Sequence, residues 1–313
     1  MASVNHTKNG DFILIGLSSD PQIKLVLFVL FCLVYATSVT ANVILIVITQ
    51  LDNDLQTPMY IFICNLSLLD ITFTSVTVPK MLIGLLSDHN YISYVGCFVQ
   101  LYFFHFLGSS ECFLLSIMGY DRYVAICHPL CYSQIIDKKA CIQMALGCWI
   151  TGVFYSFVHT ILTSTLSFCG SKKINHFFCD MPPLLKLSCT DTRTNGIVIL
   201  GLGGLAAGAS FLLTIISYFY IISTILQIRS TIGRRKAFST CASHLLIVII
   251  FYGTIIVMYI RPQSSYHMEH DKMLSVFYNV ITPMLNPMIY SLRNKEVKRA
   301  LKKLCMTKRN QLE

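Results

Sequence analysis

Seven apolar runs, at about 23–49, 58–86, 95–127, 140–162, 196–226, 238–260 and 272–292, punctuate this chain. About 20 apolar residues let a helix cross the hydrocarbon core of a bilayer. In that solvent only helices and closed barrels satisfy the backbone, and runs this long predict helices. The expected fold is an all-α membrane protein, a seven-transmembrane helix bundle. Composition agrees, because 12% charged and 54% hydrophobic residues are too apolar for an ordinary soluble domain. No repeat or low-complexity segment divides the chain, so one membrane domain is expected.

Seven spans put the two ends on opposite sides. With the C-terminus cytoplasmic, the inner links hold Arg122, Lys138, Lys139, Arg229, Arg234, Arg235, Lys236 and the basic tail. The outer set holds Lys8, Lys172, Lys173, Lys186, Arg193, Arg261 and Lys272. The excess of bases inside selects that orientation. The first link, Leu51 to Thr57, carries Asp52 and Asp54 and no base, but acids count little in this bias. The expected division is an extracellular segment 1–22, a receptor domain 23–292, and a cytoplasmic segment 293–313.

The net charge of +9 gathers beside the spans, where it would face anionic lipid. No aromatic-interleaved basic groove accompanies it, so nucleic acid is not an expected partner. Met1 to Asp20 lacks the pattern of a signal peptide, and the first span is expected to direct insertion. Asn5 fits a glycosylation sequon on the outer side, whereas the match at Asn65 lies inside an apolar run and is discounted. From Arg293 to Lys303, Val297, Ala300, Leu301 and Leu304 oppose Lys295, Lys298, Arg299, Lys302 and Lys303. That pattern predicts a short amphipathic C-terminal helix on the inner membrane surface, with Asn294 as its cap.

At the inner end of the third span, MGYDRYVAICHPL (Met118–Leu130) sets an acid beside a base, Asp121-Arg122-Tyr123. Such a pair needs water or a partner. Further stretches are PMYIFICNLSLLD and VPKML in the second span, Ser217-Tyr218 in the fifth, KAFSTCASHL and FYGT in the sixth, and PMLNPMIYSLRNKEVKRAL in the seventh. Together, in this order and from end to end, they resemble the olfactory (odorant) receptors of the tetrapod-type class II, a branch of the rhodopsin-like G-protein-coupled receptors. Rhodopsin-like receptors generally carry Trp where Tyr252 stands and a kinking proline where 238–260 has none; olfactory receptors share both departures.

The resemblance implies a plasma-membrane odorant receptor without catalytic activity. It would bind a small volatile ligand between the outer halves of spans three, five, six and seven, activate a heterotrimeric G protein of the stimulatory olfactory type and raise cyclic AMP. Its inner switch would comprise Asp121, Arg122, Tyr123, Tyr218, His244 and Tyr290; a satisfied structural histidine is the other reading of His244. Helical spacing places Phe104, His105, Gly108, Ser109 and Cys112 on one side of span three, and Tyr252, Ile255, Ile256 and Tyr259 on one side of span six. The resemblance adds Leu202, Gly203, Ala206, Val276 and Asn279. This wall is mostly apolar, which suits a small ligand buried between helices. Roughly ten to fifteen heavy atoms at about −0.5 kcal/mol each give only micromolar or weaker binding.

Of the 13 cysteines, Cys97, Cys169, Cys179 and Cys189 fall on the oxidising outer side, where four thiols permit three pairings. The resemblance selects Cys97 with Cys179 and Cys169 with Cys189. Cys127, Cys131, Cys141, Cys241 and Cys305 read as inner thiols, and the loop spacing matches no zinc pattern. Asp70 and Glu111 are costly carboxylates at membrane depth. With Asn286 they resemble the sodium-binding polar core of the superfamily; a hydrogen-bonded structural core and a catalytic acid pair are the rival readings. No other cofactor is expected. His105 offers a hydrogen bond, ordinary packing, or a soft-metal site with Cys112, two turns away. A non-olfactory rhodopsin-like receptor would need a wider or more polar cavity, and a seven-helix enzyme or transporter would need discontinuous helices or paired catalytic groups.

Overall fold

The computed structural model describes residues 10–87, 90–259 and 268–309. Seven long helices form the bundle: α1 (Pro21–Leu51), α2 (Pro58–Leu86), α3 (Tyr94–Cys127), α4 (Lys138–Ser164), α5 (Arg193–Gln227), α6 (Thr231–Tyr259) and α7. The last runs through Met268–Val276, a π turn Phe277–Ile281, and Thr282–Arg293. An amphipathic α8 (Lys295–Arg309) follows. Six of these helices are long and apolar enough to cross a membrane by themselves. At 1.5 Å per residue the 29 residues of α2 reach about 44 Å, more than the hydrocarbon thickness.

Local chemistry sets the ends. Asp20 accepts from the Gln22 and Ile23 amides, with Pro21 opening α1; Ser93 accepts from Gly96 at the start of α3, and Asp137 from Ala140 at the start of α4. These side chains occupy donors that a helix start leaves unpaired. Burial is inverted relative to a soluble protein. Leu25, Val26 and Leu33 of α1, Phe154 and Phe157 of α4, and Leu212 and Phe219 of α5 are exposed, while Asn42, Asp70, Ser116, His159 and Asn286 are buried. Lipid is as apolar as leucine, so the interior is where polar groups find partners.

Helix α3 runs through the centre, touching α2, α4, α5 and α6, while α7 closes against α1, α2 and α6. At one end of the bundle lies a small sheet ordered β2-β1-β3. Strand β1 (Phe12–Leu14) pairs antiparallel with β2 (Tyr91–Ile92) and parallel with β3 (Lys173–Ile174). Cys97 is joined to Cys179, pinning the long α4–α5 connection onto α3, and Cys169 to Cys189 within that connection. At the other end α8 packs Val297 and Ala300 inward. Asn294 caps it by accepting from the Glu296 and Val297 amides, and Lys303 pairs with Asp52. Asp52 of the first link thus meets a base on α8. Asn65 takes the Trp149 indole N–H inside the bundle, in keeping with its discounted sequon.

Candidate functional site

At the α8 end, Arg122 donates from Nε (3.0 Å) and Nη2 (2.7 Å) to Asp121 Oδ2. The other carboxylate oxygen accepts from the Tyr132 hydroxyl at 2.7 Å. Tyr132 sits in the α3–α4 connection, where burial and the Asp121 carboxylate hold its phenol above the usual range. Tyr123 instead meets His128. A cavity of about 980 Å³ opens here, lined among others by Tyr60, Arg122, Tyr132, Arg235, Tyr290 and Glu296.

Neither expected tyrosine reaches Arg122 by a hydrogen bond. The Tyr218 hydroxyl lies 2.7 Å from His244 Nδ1, while His244 Nε2 lies 3.1 Å from the Leu115 carbonyl. A carbonyl only accepts, so Nε2 carries the proton and Nδ1 accepts from Tyr218. His244 therefore bridges α3, α5 and α6 with both nitrogens used. The Tyr290 hydroxyl is buried with no partner. Tyr60 donates to Glu296 and accepts from Asn294, each at 2.8 Å, tying α8 to α2.

Midway through the bundle, Asn286 Nδ2 donates to both oxygens of Asp70 (3.0 and 3.2 Å). Glu111 is an electrostatic neighbour of Asp70, and its Oε1 is buried and unpartnered. Two carboxylates thus face few donors.

Toward the disulfide end, Phe104 packs with Phe73, Phe178 and Tyr278. Gly108 lets the Tyr278 hydroxyl approach, since a Cβ there would lie 3.0 Å from it. Cys112 contacts Ser210 Oγ at 2.9 Å, and Tyr252 donates to the Cys112 carbonyl at 3.2 Å, linking α3, α5 and α6. The Ser109 hydroxyl turns back onto its own helix. Asn279 lies in the α7 π turn with its Oδ1 unpartnered, and Ile255, Val276 and Ala206 are half-buried nearby in their helices. His105 Nε2 is buried without a partner, and Cys112 is engaged elsewhere, so the soft-metal reading of that pair has no support.

Two expected wall residues point outward. Leu202 is 45% exposed beside Leu200 and Leu205, and Ile256 is 38% exposed beside Val257. The inward stripe of α6 is narrower than its spacing suggested, and the π turn Ile199–Gly203 shifts the register of α5. Asn5, Lys8, Arg261 and the side chain of Tyr259 lie outside the described residues.

Sequence reasoning missed Tyr132, Ser210 and His159. For His159 the signal was present: Cys148, Gly152, Ser156, His159 and Thr163 recur every three or four residues and are all buried. That is an inward helical face read in small and polar residues rather than apolar ones. The long connection adds two buried titratable groups. Burial raises Asp180 to about 6 against the Met181 amide, and burial with the Lys272 ammonium lowers His176, hydrogen-bonded to Ser275, to about 3.

Residues 31–308 match the family model described as olfactory receptor. Similar proteins include olfactory receptor 5AR1 of Mus musculus, 48% identical over 97% of this chain and 98% of the relative. Olfactory receptor 10A7 of Homo sapiens is 49% identical over 97% and 96%, and olfactory receptor 8H1 of Homo sapiens 50% over 96% of each. Among solved structures, squid rhodopsin superposes with a TM-score of 0.69 at 17% identity, covering 91% of this chain and 86% of that one, which supports the seven-helix fold.

Proposed function

The chain belongs to the olfactory receptor family, multi-pass membrane receptors rather than enzymes, and on that premise we propose that it converts odorant binding at the disulfide end into G-protein activation at the α8 end. The disulfide end, with 1–22, faces outside; α8 and the rest of 293–313 face the cytoplasm. The ligand is a small volatile in the apolar space flanked by Phe104, Cys112 and Tyr252 within 23–292. The observation that carries the reading is the Asp121–Arg122–Tyr132 cluster at the wall of the 980 Å³ cavity. In the closed arrangement Asp121 holds Arg122, and His244 clasps Tyr218 of α5 from α6. Outward movement of the inner ends of α5 and α6 would break the second contact and free the first. Arg122, Tyr123, Tyr218 and the unpartnered Tyr290 would then face the G protein, of the stimulatory olfactory type, with cyclic AMP as output. A ligand achieves this only by binding the open arrangement more tightly than the closed one.

The residues Asp70, Glu111 and Asn286 suit a monovalent cation such as sodium, because two buried carboxylates share one amide donor and Glu111 Oε1 has none. When bound, such an ion supplies positive charge that offsets carboxylate desolvation. Asp70 and Asn286 would orient the site from α2 and α7.

The test is a cyclic AMP response to chemically diverse volatiles in cells carrying the olfactory G protein, with Arg122→Ala beside the parent. We expect a response in the parent and its loss in Arg122→Ala at equal surface level. A fully active Arg122→Ala receptor would overturn the switch; silence of a surface-expressed parent would overturn the transducer or the ligand class.

A further inference from the structure

The outer part of the bundle holds two imidazoles that each keep one buried nitrogen without a hydrogen-bond partner. His105 Nε2 on α3 and His159 Nε2 on α4 are both buried and both lack a hydrogen-bond partner. Their ring centroids are 6.3 Å apart. Buried polar atoms are nearly always paired, and an exception calls for a missing partner or a functional use. Here two exceptions share one wall. The wall is also built: Tyr155, one turn before His159, packs on its ring at 4.4 Å. A Cβ on Gly203 would lie 2.9 Å from the Tyr155 hydroxyl, so a glycine in the α5 π turn is what lets α4 present this ring stack. Such π turns occur frequently at functional sites.

We propose that His105 and His159 form the polar clamp of the ligand pocket, and that the clamp takes a ligand carrying a single hydroxyl. This rests on the reading above that the pocket lies in the outer half of the bundle. Two hydrogen bonds of about 2.8 Å meeting at one tetrahedral oxygen span about 4.6 Å between nitrogens. Rings 6.3 Å apart at their centroids are close enough for one such atom to bridge them, and because both Nε2 atoms are enclosed in the ligand-free protein the oxygen would enter as the two side chains part. A neutral imidazole shows either N–H or a lone pair at Nε2. A hydroxyl accepts from one and donates to the other, whichever ring carries the proton there. An ether or aldehyde oxygen only accepts, so it leaves a bare nitrogen unpaired unless both rings present N–H. The apolar remainder of the ligand would lie against Phe104. No group of three His, Cys, Asp or Glu converges among the described residues, which favours an organic partner over a metal ion.

Two readouts on the purified full-length receptor test this without any G protein, so their failure is distinct from failure of the signalling reading. The first is the melting midpoint of the ligand-free protein. Replacing an unpaired polar ring by an apolar one of similar shape should raise it by about 2–4 °C in both His105→Phe and His159→Phe. Should Phe not be accommodated against Tyr155, His159→Leu reads the same quantity. A lower midpoint in the variants at both positions would overturn the proposal, because the imidazoles would then be structural. The second readout is stabilisation by three matched sets: 1-octanol, octanal and octane; menthol, menthone and p-menthane; 2-phenylethanol, phenylacetaldehyde and ethylbenzene. The hydroxyl member should act at roughly tenfold lower concentration than its partners in at least one set, and both Phe variants should erase that preference. Equal action of all members, or no stabilisation by any of the nine, would overturn the hydroxyl assignment.

Discussion

His244 and His105 lie in the same bundle with opposite surroundings. Near the Arg122 end both nitrogens of His244 are used, by Tyr218 and by the Leu115 carbonyl. Toward the disulfide end, His105 and His159 each leave Nε2 unpaired. A satisfied group stabilises the arrangement that satisfies it, and in the proposed mechanism that arrangement is the closed one. An unsatisfied group destabilises its own state until something supplies the partner. The first kind of site is suited to holding, the second to receiving, and a receptor of this family needs both.

The bluntest way to break the comparison is to unfasten the receiving end. The Cys97–Cys179 bond closes a loop of 82 residues, worth about 4–5 kcal/mol by chain entropy alone. Cys97→Ala should therefore abolish surface display, read by staining of intact cells. Normal display would mean that β1, β2 and β3 hold the long connection unaided.

Asp121→Asn acts at the holding end. It removes the charge that Arg122 pairs with, a contact worth about 1.5–3 kcal/mol for a charge-assisted bond. Ligand-free cyclic AMP output should rise about tenfold or more at matched surface level. Unchanged basal output would show that the pair does not favour the closed state.

The smallest effect sharpens the contrast by pH. Asp180, raised to about 6, contributes stability that is present at low pH and lost as pH rises through about 6. His176, lowered to about 3, does the reverse, because its folded form resists the proton that the unfolded chain accepts below about 6.5. Between pH 6.5 and 4 the two oppose each other. Asp180→Asn removes one side, so its melting midpoint should fall more steeply than the parent's as pH drops through that window. Parallel curves would mean that Asp180 is not buried in solution.

Much of this was legible along the chain because it depends on neighbours in sequence. Apolar run length gives the spans, the polar–apolar alternation after Arg293 gives the last helix with Asn294 as its cap, and Asp121-Arg122 is adjacent by construction of the peptide. Ile256, placed by helical period, turns outward because spacing says that residues share a face but not how wide the buried stripe is, and Leu202, placed by resemblance, lies in a π turn that resets the count. His159 was missed for a related reason: its inward face is written in Gly152, Ser156 and Thr163, small and polar residues that mean interior only when the surroundings are lipid.

By itself the sequence determined a membrane bundle of seven helices, its family motifs and the adjacency of the inner acid and base, all consequences of solvent and local spacing. Tertiary structure alone decided that Tyr218 serves His244 instead of Arg122, that Tyr132 completes Asp121, and that His105 faces His159 across 6.3 Å. The physical reason is that a buried polar atom takes the partner that helix packing brings within about 3 Å, and the partners here come from different helices whose rotation no single helix specifies.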